Sequence, residues 1–213
     1  MNYPVPTPIY HITHINNLQG ILQSGGLWAT NYLSSPHQSV AYGHIQSRRA
    51  KRTVPLCKGG TLHDYVPFYF CPRSPMLYAI HCPSPGQMQY QGGQRSIIHL
   101  VSTADAVANA GLDFTFTDRH AVLGYVSFFD QLTDLSNLCW PYIQATTWNN
   151  NSAHPDRKER KQAEFLVHRF FPWSLIAEIG VYDQQIAQQV QQALNAFSMG
   201  IHPAVQIKRN WYY

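Results

Sequence analysis

The stretch DRKERKQAEFLVHRFFPWSL, Asp156–Leu175, sets a run of six charged residues ahead of an apolar segment. The segment EFLVHRF has the length and apolar content of a short buried strand. Glu164 opens this strand, and it is one of only three glutamates in the 213 residues. A carboxylate at the end of a strand can face a cleft and serve as an acid, a base or an electrostatic stabiliser. It can equally be a strand-edge residue paired with a nearby Arg or Lys, and spacing alone leaves both interpretations open.

Charge is sparse and aromatic residues are abundant along the chain. Charged residues make up 12% and aromatic residues 13% of the sequence, which is typical of a folded protein rather than a disordered one. The length predicts a single domain over residues 1–213, with room for a sizeable core. Basic residues cluster at residues 48–58 and at residues 157–161. On a chain with a net charge of only +4, these clusters suggest a polyanionic ligand, although two solvated loops would give the same pattern.

The four cysteines lack the spacing of a metal site. No pair forms CxxC, so a zinc ribbon is not expected, and the eleven histidines include no HExxH pattern. We therefore expect reduced cysteines, no bound metal and a cytoplasmic location. The N-terminal sequence MNYPVPTPIYH lacks the pattern of a signal peptide. No apolar run approaches the ~20 residues that span a bilayer, so no membrane association is expected.

The hydrophobic patterns predict mostly strands, with a few helices. Strands are predicted at PIYHITHI, YVPFYF, SPMLYAIH, SIIHLVS, DFTFTD, EFLVHRF, LIAEIGVYD and AVQIKRNWYY. Helices are predicted at NNLQGILQSGGL, TADAVANAG and DQQIAQQVQQALNAF. Residues 31–62 lack periodicity and are predicted to be irregular, basic and either functional or mobile. This order favours a mixed α+β domain over a regular βαβ array, and the chain has neither GxGxxG nor a P-loop pattern.

Four stretches, in this order, resemble one known family. They are YHITHINNLQGILQSGGLWATN, GGTLHDYVPFYFCPRSPML, FTFTDRHA and RKQAEFLVH. Together they resemble the DarT family, bacterial toxins that ADP-ribosylate DNA and belong to the ADP-ribosyltransferase superfamily. The resemblance runs from Ile9 to the terminal NWYY. It implies the fold of that superfamily, an α+β domain with split mixed β-sheets, a few surrounding helices and NAD in a cleft between the sheets.

The resemblance also implies a reaction and its partners. A DarT enzyme transfers ADP-ribose from its co-substrate NAD to a base in single-stranded DNA, in a sequence-dependent manner, and releases nicotinamide. The acceptor is thymidine in the better-known branch and guanosine in a related one. The implied partners are single-stranded DNA, NAD and an antitoxin of the DarG type, whose macrodomain removes the modification. No metal is implied.

The same resemblance assigns roles to particular residues. The catalytic residues would be Glu164 and Arg49, with Arg48 and Arg52 close enough to replace Arg49 as the essential arginine. The residues expected to contact NAD are His14, Asn17, Leu27, Asn31, Arg49, Tyr69, Phe70, Met76 and Leu77. The residues expected to contact DNA, or to lie beside the site where it binds, are Tyr42, Arg48, Arg52, His120, Trp148, Arg157 and Arg160.

Each residue type suits its expected role. Departure of nicotinamide leaves positive charge on the ribose, which a carboxylate stabilises. An arginine fork binds phosphate oxygens at two points, and unpaired bases stack on aromatic rings at roughly 1–3 kcal/mol each. Two alternatives remain open. One is an ADP-ribosyltransferase acting on RNA or protein, and the other is a non-catalytic single-strand binding module, which predicts salt-sensitive binding without nicotinamide release.

Overall fold

One mixed sheet runs through the molecule and carries most of its strands. A computed structural model describes residues 3–34, 37–83, 90–197 and 202–213. The strands are β1 (Pro8–His14), β2 (Gly26–Trp28), β3 (Tyr65–Tyr69), β4 (Ile97–Thr103), β5 (Phe114–Thr117), β6 (Phe128–Phe129), β7 (Glu164–His168), β8 (Phe170–Pro172), β9 (Glu178–Val181) and β10 (Ala204–Ile207). The α-helices are α1 (Leu18–Gln23), α2 (Gly43–Arg49), α3 (Pro75–His81), α4 (Ala104–Asn109), α5 (Trp140–Gln144), α6 (Arg157–Lys161) and α7 (Gln184–Asn195).

The strand order divides the main sheet into two halves. Its eight strands follow one another as β10-β9-β4-β1-β3-β7-β5-β6, and β2 and β8 form a separate two-stranded sheet. β1 pairs with β4 along seven residues, whereas its described pairing with β3 is the one pair Tyr10–Tyr69. The sheet therefore has a seam between β1 and β3. The predicted mixed α+β fold is confirmed, and the predicted split takes the form of this seam.

The register of β7 decides which way Glu164 faces. β7 lies antiparallel to β3, with Tyr69 opposite Glu164 and Phe68 opposite Phe165. Side chains alternate between the two faces of a strand, so Tyr69 and Glu164 project side by side on one face. Phe68 and Phe165 project on the other face, where both are buried in the main hydrophobic cluster. Packing of the two phenylalanines therefore fixes the carboxylate on the opposite side.

The segment SPMLYAIH is a helix, and the strand predicted there is wrong. Helix α3 begins after Ser74, whose hydroxyl accepts a hydrogen bond from the Leu77 N–H at 3.2 Å, and Pro75 lies in its first turn. Serine at the N-cap and proline in the first turn are signals of a helix N-terminus. Leu77 and Ile80 are both buried, and their spacing of three fits a helix rather than strand alternation.

Two basic segments are helical where no helix is predicted. Residues 31–62, predicted to be irregular, contain α2, and the charged run ahead of Glu164 forms α6. Neither helix has an apolar stripe, since the buried residue of α2 is Arg49 and that of α6 is Lys161. The Lys161 ammonium donates a hydrogen bond to the Ile143 carbonyl at 2.8 Å. Contacts of buried basic residues leave no hydrophobic periodicity from which a helix can be predicted.

The other predicted strands and helices are confirmed. β3 includes the interrupting Pro67, and the predicted C-terminal strand is confined to β10. Asn17 lies at the N-cap position of α1, but its side-chain amide donates to the Thr13 hydroxyl at 3.0 Å instead of capping the helix. In the part of the chain that the structure describes, no helix is long and apolar enough to cross a membrane. The cytoplasmic location stays a prediction.

Candidate active site

A buried ion pair joins the end of α2 to the start of β7. The Arg49 Nη1 lies 2.7 Å from the Glu164 Oε2, and the two residues are 8% and 2% exposed. The Arg49 Nη2 is also buried but has no hydrogen-bond partner among the described residues. An unpaired buried donor is costly, and a guanidinium can bind two acceptors at once. The pair therefore has one donor available for a ligand.

The other oxygen of Glu164 is held by the loop that follows β5. The Ala121 N–H donates to the Glu164 Oε1 at 3.1 Å, and the His120 Nε2 lies 3.9 Å from the same oxygen. The Glu164 N–H donates to the Thr117 hydroxyl at 3.1 Å. The carboxylate is thus held from α2 and from this loop, and its backbone is held from β5, which limits its rotation and favours a preorganised site.

His120 is neutral at pH 7 in this position. Burial lowers the pKa of His120 below its ordinary value of 6.5, and the nearby Arg49 and Arg48 lower the pKa further, while Glu164 acts in the opposite direction. A neutral imidazole beside the carboxylate can accept a proton. The site therefore combines an anionic group and a neutral base within 4 Å of each other.

The ion pair faces a cavity of about 500 Å³. Cavities of 300–1,000 Å³ are typical of small-molecule and cofactor sites. Its lining includes seven of the predicted site residues, namely Asn17, Leu27, Arg49, Tyr69, Met76, His120 and Glu164. Tyr69 and Glu164 reach it because they are register partners, and burial raises the pKa of the Tyr69 hydroxyl. The cavity lies where β1 and β3 meet at the seam.

Four residues expected to contact NAD do not line the cavity. His14 accepts a hydrogen bond from the Asn16 N–H and packs against the Tyr90 ring, and Asn31 donates to the Asp64 carboxylate at 2.8 Å. Phe70 belongs to the main core cluster, and Leu77 belongs to a second cluster with Ile80. Phe70 and Leu77 are apolar and fully packed, so their burial serves the core. Cavity geometry does not support a cofactor contact for these four.

The residues expected to contact DNA fall into separate groups. Beside His120, Arg48 and Arg52 line a smaller cleft of about 310 Å³ with Ser47, Lys51 and Val122. Tyr42 precedes α2 and packs against the His44 ring. This first group lies on or beside α2, the helix that also carries Arg49.

The second group lies near α6 and is engaged in contacts within the protein. Arg160 pairs with Asp156 at 2.6 Å and with Asp118 at 3.9 Å. Arg157 donates to the Thr147 carbonyl at 3.3 Å, and Trp148 donates to the Tyr213 hydroxyl at 3.0 Å. These contacts already satisfy polar groups that were expected to meet DNA.

Sequence reasoning did not single out most of the cavity lining, which includes His11, Trp28 and His63. Burial lowers the pKa of His11 to about 4, and its Nδ1 lies 2.8 Å from the Pro67 carbonyl. Strand alternation places His11 on the same face as Thr13, which also lines the cavity. Trp28 is 39% exposed and packs against Phe170. No local signal in the sequence separates Trp28 from an ordinary surface aromatic.

Within the described ranges, no group of three or more His, Cys, Asp or Glu side chains is arranged to hold a metal ion. The site instead consists of a carboxylate, an arginine with a spare donor and a neutral histidine around a cavity at the seam of a split mixed sheet. This combination has the carboxylate, the arginine and the cleft that the resemblance to the ADP-ribosyltransferase superfamily implies. A family model described as "ssDNA thymidine ADP-ribosyltransferase, DarT" matches residues 10–213. The chain belongs to the DarT family.

Relatives from Thermus are similar over the full chain. A DNA ADP-ribosyl transferase from Thermus sp. (strain 2.9) is 55% identical over 211 residues, covering 99% of this chain and 98% of the relative. The structure of Thermus sp. 2.9 DarT in complex with ADP-ribosylated ssDNA superposes with a TM-score of 0.94, at 55% identity, over 100% of this chain and 99% of that chain. The same protein in complex with NAD+ gives a TM-score of 0.90, at 51% identity, over 100% of both chains.

A more distant relative from Thermosipho africanus carries a second activity. It is named a DNA ADP-ribosyl transferase-DNA ADP-ribosyl glycohydrolase fusion protein and is 22% identical over 206 residues. The match covers 94% of this chain and 49% of the fusion protein.

Proposed function

We propose that Glu164 and Arg49 carry out the family reaction in this chain, the transfer of ADP-ribose from NAD to thymidine in single-stranded DNA. The single observation that carries this assignment is the buried 2.7 Å pair, in which Arg49 lines the cavity and keeps a buried Nη2 without a partner among the described residues. A purely structural ion pair would be expected to satisfy its buried donors. The spare donor therefore supports a ligand-binding role.

Glu164 would stabilise the positive charge that develops on the ribose as nicotinamide leaves. Its Oε1 and Oε2 are already held by Ala121 and Arg49, so little reorganisation is needed when the charge appears. Formation of the new glycosidic bond displaces a proton from the acceptor base. His120, neutral and 3.9 Å from Glu164, lies where it can accept that proton.

NAD fits the chemistry of the cavity. The free Nη2 of Arg49 suits a diphosphate oxygen. Tyr69 and Met76 lie together on the lining, with the Tyr69 hydroxyl 3.5 Å from the Met76 sulfur, and they would flank the nicotinamide. Asn17 and Leu27 would contact the remainder of the dinucleotide. Residues His14, Asn31, Phe70 and Leu77 stay predictions that the cavity does not support.

The DNA strand would approach from the side of α2. Tyr42 precedes α2, Arg48 and Arg52 line the cleft beside it, and His120 lies 3.9 Å from Glu164. Arg157 and Arg160 keep N–H donors besides those in their present contacts, so they would meet phosphates without leaving their partners, whereas the Trp148 N–H is already bound to Tyr213. Base access favours single strands, because a base that reaches Glu164 has to leave any duplex stack.

Two broader predictions also belong to this proposal. The 213 residues would form one catalytic domain, since strands from residue 8 to residue 207 contribute to one sheet. An antitoxin with a DarG-type macrodomain would reverse the modification, and the Thermosipho relative, in which a transferase and a glycohydrolase are fused, supports that pairing. Co-expression with such a macrodomain would then restore growth and remove the label from DNA.

The central test uses NAD and a panel of short single-stranded oligonucleotides, with the added mass located by fragmentation. We expect ADP-ribose on thymidine, and a loss of at least about 100-fold in Glu164→Gln, the scale seen when one transition-state charge partner is removed. The matched control is Glu178→Gln, which removes a carboxylate that opens β9 and pairs with Lys208 at 2.8 Å. It should transfer like the wild type.

Other outcomes of the panel separate the alternatives. A fully active Glu164→Gln would contradict the assignment of Glu164. Label on guanosine, RNA or protein would favour a different acceptor. Binding of oligonucleotides without release of nicotinamide would favour the non-catalytic module.

A further inference from the structure

The smaller cleft beside α2 has a strongly cationic lining. Its volume is about 310 Å³, and its lining consists of Ser47, Arg48, Lys51, Arg52 and Val122. Three of these five residues carry a positive charge and none carries a negative one. A surface patch of one charge concentrates ions of the opposite charge, so this shallow cleft is suited to an anion.

The three cations of the cleft have no carboxylate partner among the described residues. Arg48 donates to the Val122 carbonyl at 3.4 Å, and the Arg52 Nε is buried without a hydrogen-bond partner. Lys58, which belongs to the same basic cluster of the sequence, instead pairs with Asp113 at 3.4 Å. The basic cluster therefore divides into a neutralised part and a part whose charge is uncompensated.

The cleft and the catalytic cavity share their walls. Arg49 projects from α2 into the cavity, while its neighbour Arg48 lines the cleft. Opposite α2, His120 lines the cavity, Val122 lines the cleft, and the intervening Ala121 donates its N–H to Glu164. The cavity and the cleft therefore lie on either side of two shared segments, α2 and residues 120–122. A ligand in the cleft lies next to a ligand held at Glu164.

We propose that this cleft binds one phosphodiester group of the DNA strand, adjacent to the nucleotide whose base enters the catalytic cavity. The inference rests on the proposed function. A phosphodiester suits the lining because guanidinium and ammonium groups bind phosphate oxygens. An aromatic stacking platform for a base is missing from the lining, where Phe128 lies beneath the Arg52 guanidinium at 5.9 Å. Holding this phosphate fixes which base along the strand reaches Glu164.

The test replaces single phosphodiesters by uncharged methylphosphonates along an oligonucleotide that the wild type labels. We expect one linkage beside the acceptor thymidine to raise the KM for DNA about tenfold in the wild type. In Lys51→Gln the same replacement should have a smaller effect, about threefold, because only two of the three cations that face the linkage remain. The slope of log KM against log salt should fall by about one in this variant.

Lys58→Gln is the matched control, since it removes an exposed lysine of the same basic cluster outside the cleft. It should keep the full tenfold response to the neutral linkage. Arg52→Lys is a second variant, which keeps the charge and should retain most of the response. The melting temperature of Lys51→Gln should equal that of the wild type, and NAD-dependent nicotinamide release without DNA should be unchanged in Lys58→Gln.

Three results would overturn the inference. If Lys51→Gln and Lys58→Gln respond equally to every neutral linkage, the cleft contacts no phosphate. If the wild type labels DNA but no single linkage matters more than the others, the cleft proposal fails while the proposed function stands. If the wild type labels no oligonucleotide, the proposed function fails and the cleft proposal fails with it.

Discussion

Arg49 uses one guanidinium nitrogen for Glu164 and leaves another, also buried, without a partner among the described residues. This division of labour depends on the planar fork of arginine, which a lysine ammonium cannot reproduce. In Arg49→Lys the single charged group can contact Glu164 or a phosphate, but not both in the same geometry. We expect kcat/KM for NAD to fall at least about 100-fold, measured by nicotinamide release.

The control for Arg49→Lys is Arg95→Lys, at an arginine whose side chain is about half exposed and which pairs with Asp183 at 2.6 Å. An exposed ion pair contributes little, so this variant should keep its kcat/KM within about twofold. A melting temperature close to that of the wild type would show that Arg49→Lys is folded. Retention of full activity by a folded Arg49→Lys would mean that the fork geometry is not used.

At the residue scale the sequence shows which residue types are present but not which way their side chains point. Glu164 could be singled out because glutamate is rare in the chain, yet its burial and its contact with Arg49 join residues 115 positions apart. Phe70 and Leu77 were expected at the NAD site because they fall inside matching stretches. Burial in the core takes them away from it. A motif locates a segment, while packing decides which of its side chains face the cavity.

At the scale of elements, strands with β-branched or alternating patterns could be predicted, while helices α2, α3 and α6 could not. α3 carries a serine cap and a proline that sequence analysis can use, but its apolar residues also suit a strand. α2 and α6 lack an apolar stripe, and each buries a basic residue instead. Their helical form depends on tertiary contacts that a local pattern does not contain.

β2 contributes to the cavity through a glycine that tolerates no side chain. A Cβ on Gly26 would lie 2.2 Å from the Phe171 carbonyl oxygen in the paired strand β8. Gly26→Ala should therefore separate β2 from β8 and lower the free energy of unfolding by about 3 kcal/mol or more. The loss should appear in urea denaturation and be accompanied by weaker NAD binding, because β2 lines the cavity.

Gly25→Ala is the matched comparison. Gly25 has φ +76° but no atom within 4 Å of an added Cβ. The free energy of unfolding of Gly25→Ala should therefore fall only by the strain of a left-handed alanine, about 1 kcal/mol. If Gly25→Ala and Gly26→Ala lower the free energy of unfolding equally, separation of β2 from β8 does not cause the destabilisation of Gly26→Ala.

At the scale of the whole molecule, buried histidines link folding to pH. His99 is fully buried on β4, between the Tyr212 hydroxyl and the Pro72 carbonyl, and burial lowers its pKa from the ordinary 6.5 to about 4. Below pH 6.5 the unfolded chain takes up a proton that the folded protein accepts only near pH 4. The free energy of unfolding should therefore fall as the pH drops through this window, by up to about 3 kcal/mol for His99.

Urea titrations at pH 7 and pH 4.5 measure this loss. His99→Gln should reduce the difference between the two pH values, although its stability at pH 7 will be lower. His44→Gln, at an exposed histidine, should leave the difference unchanged. An undiminished pH dependence in His99→Gln would assign the effect to other groups.

The arrangement of the whole sheet was the part least accessible from sequence patterns. The presence of most strands could be predicted one segment at a time, because alternation is local. Their order could not, since β1 pairs with β4 and β7 pairs with β3 and β5 across long stretches of chain. Only the ordered resemblance to a family indicated a split sheet and a site at its division. The seam that forms the split depends on the one described pair Tyr10–Tyr69.

The register that sets Tyr69 beside Glu164 also bears on how such a gene can diverge. Insertion of one codon between Glu164 and Phe165, with the phenylalanine kept in the core, would move the carboxylate to the place of the buried Ala163, on the opposite face from the cavity. A substitution in β7 changes one side chain, whereas a change in codon number reverses a whole face. The active site therefore requires a constant number of residues in β7, and insertions or deletions among related sequences are expected in the loops.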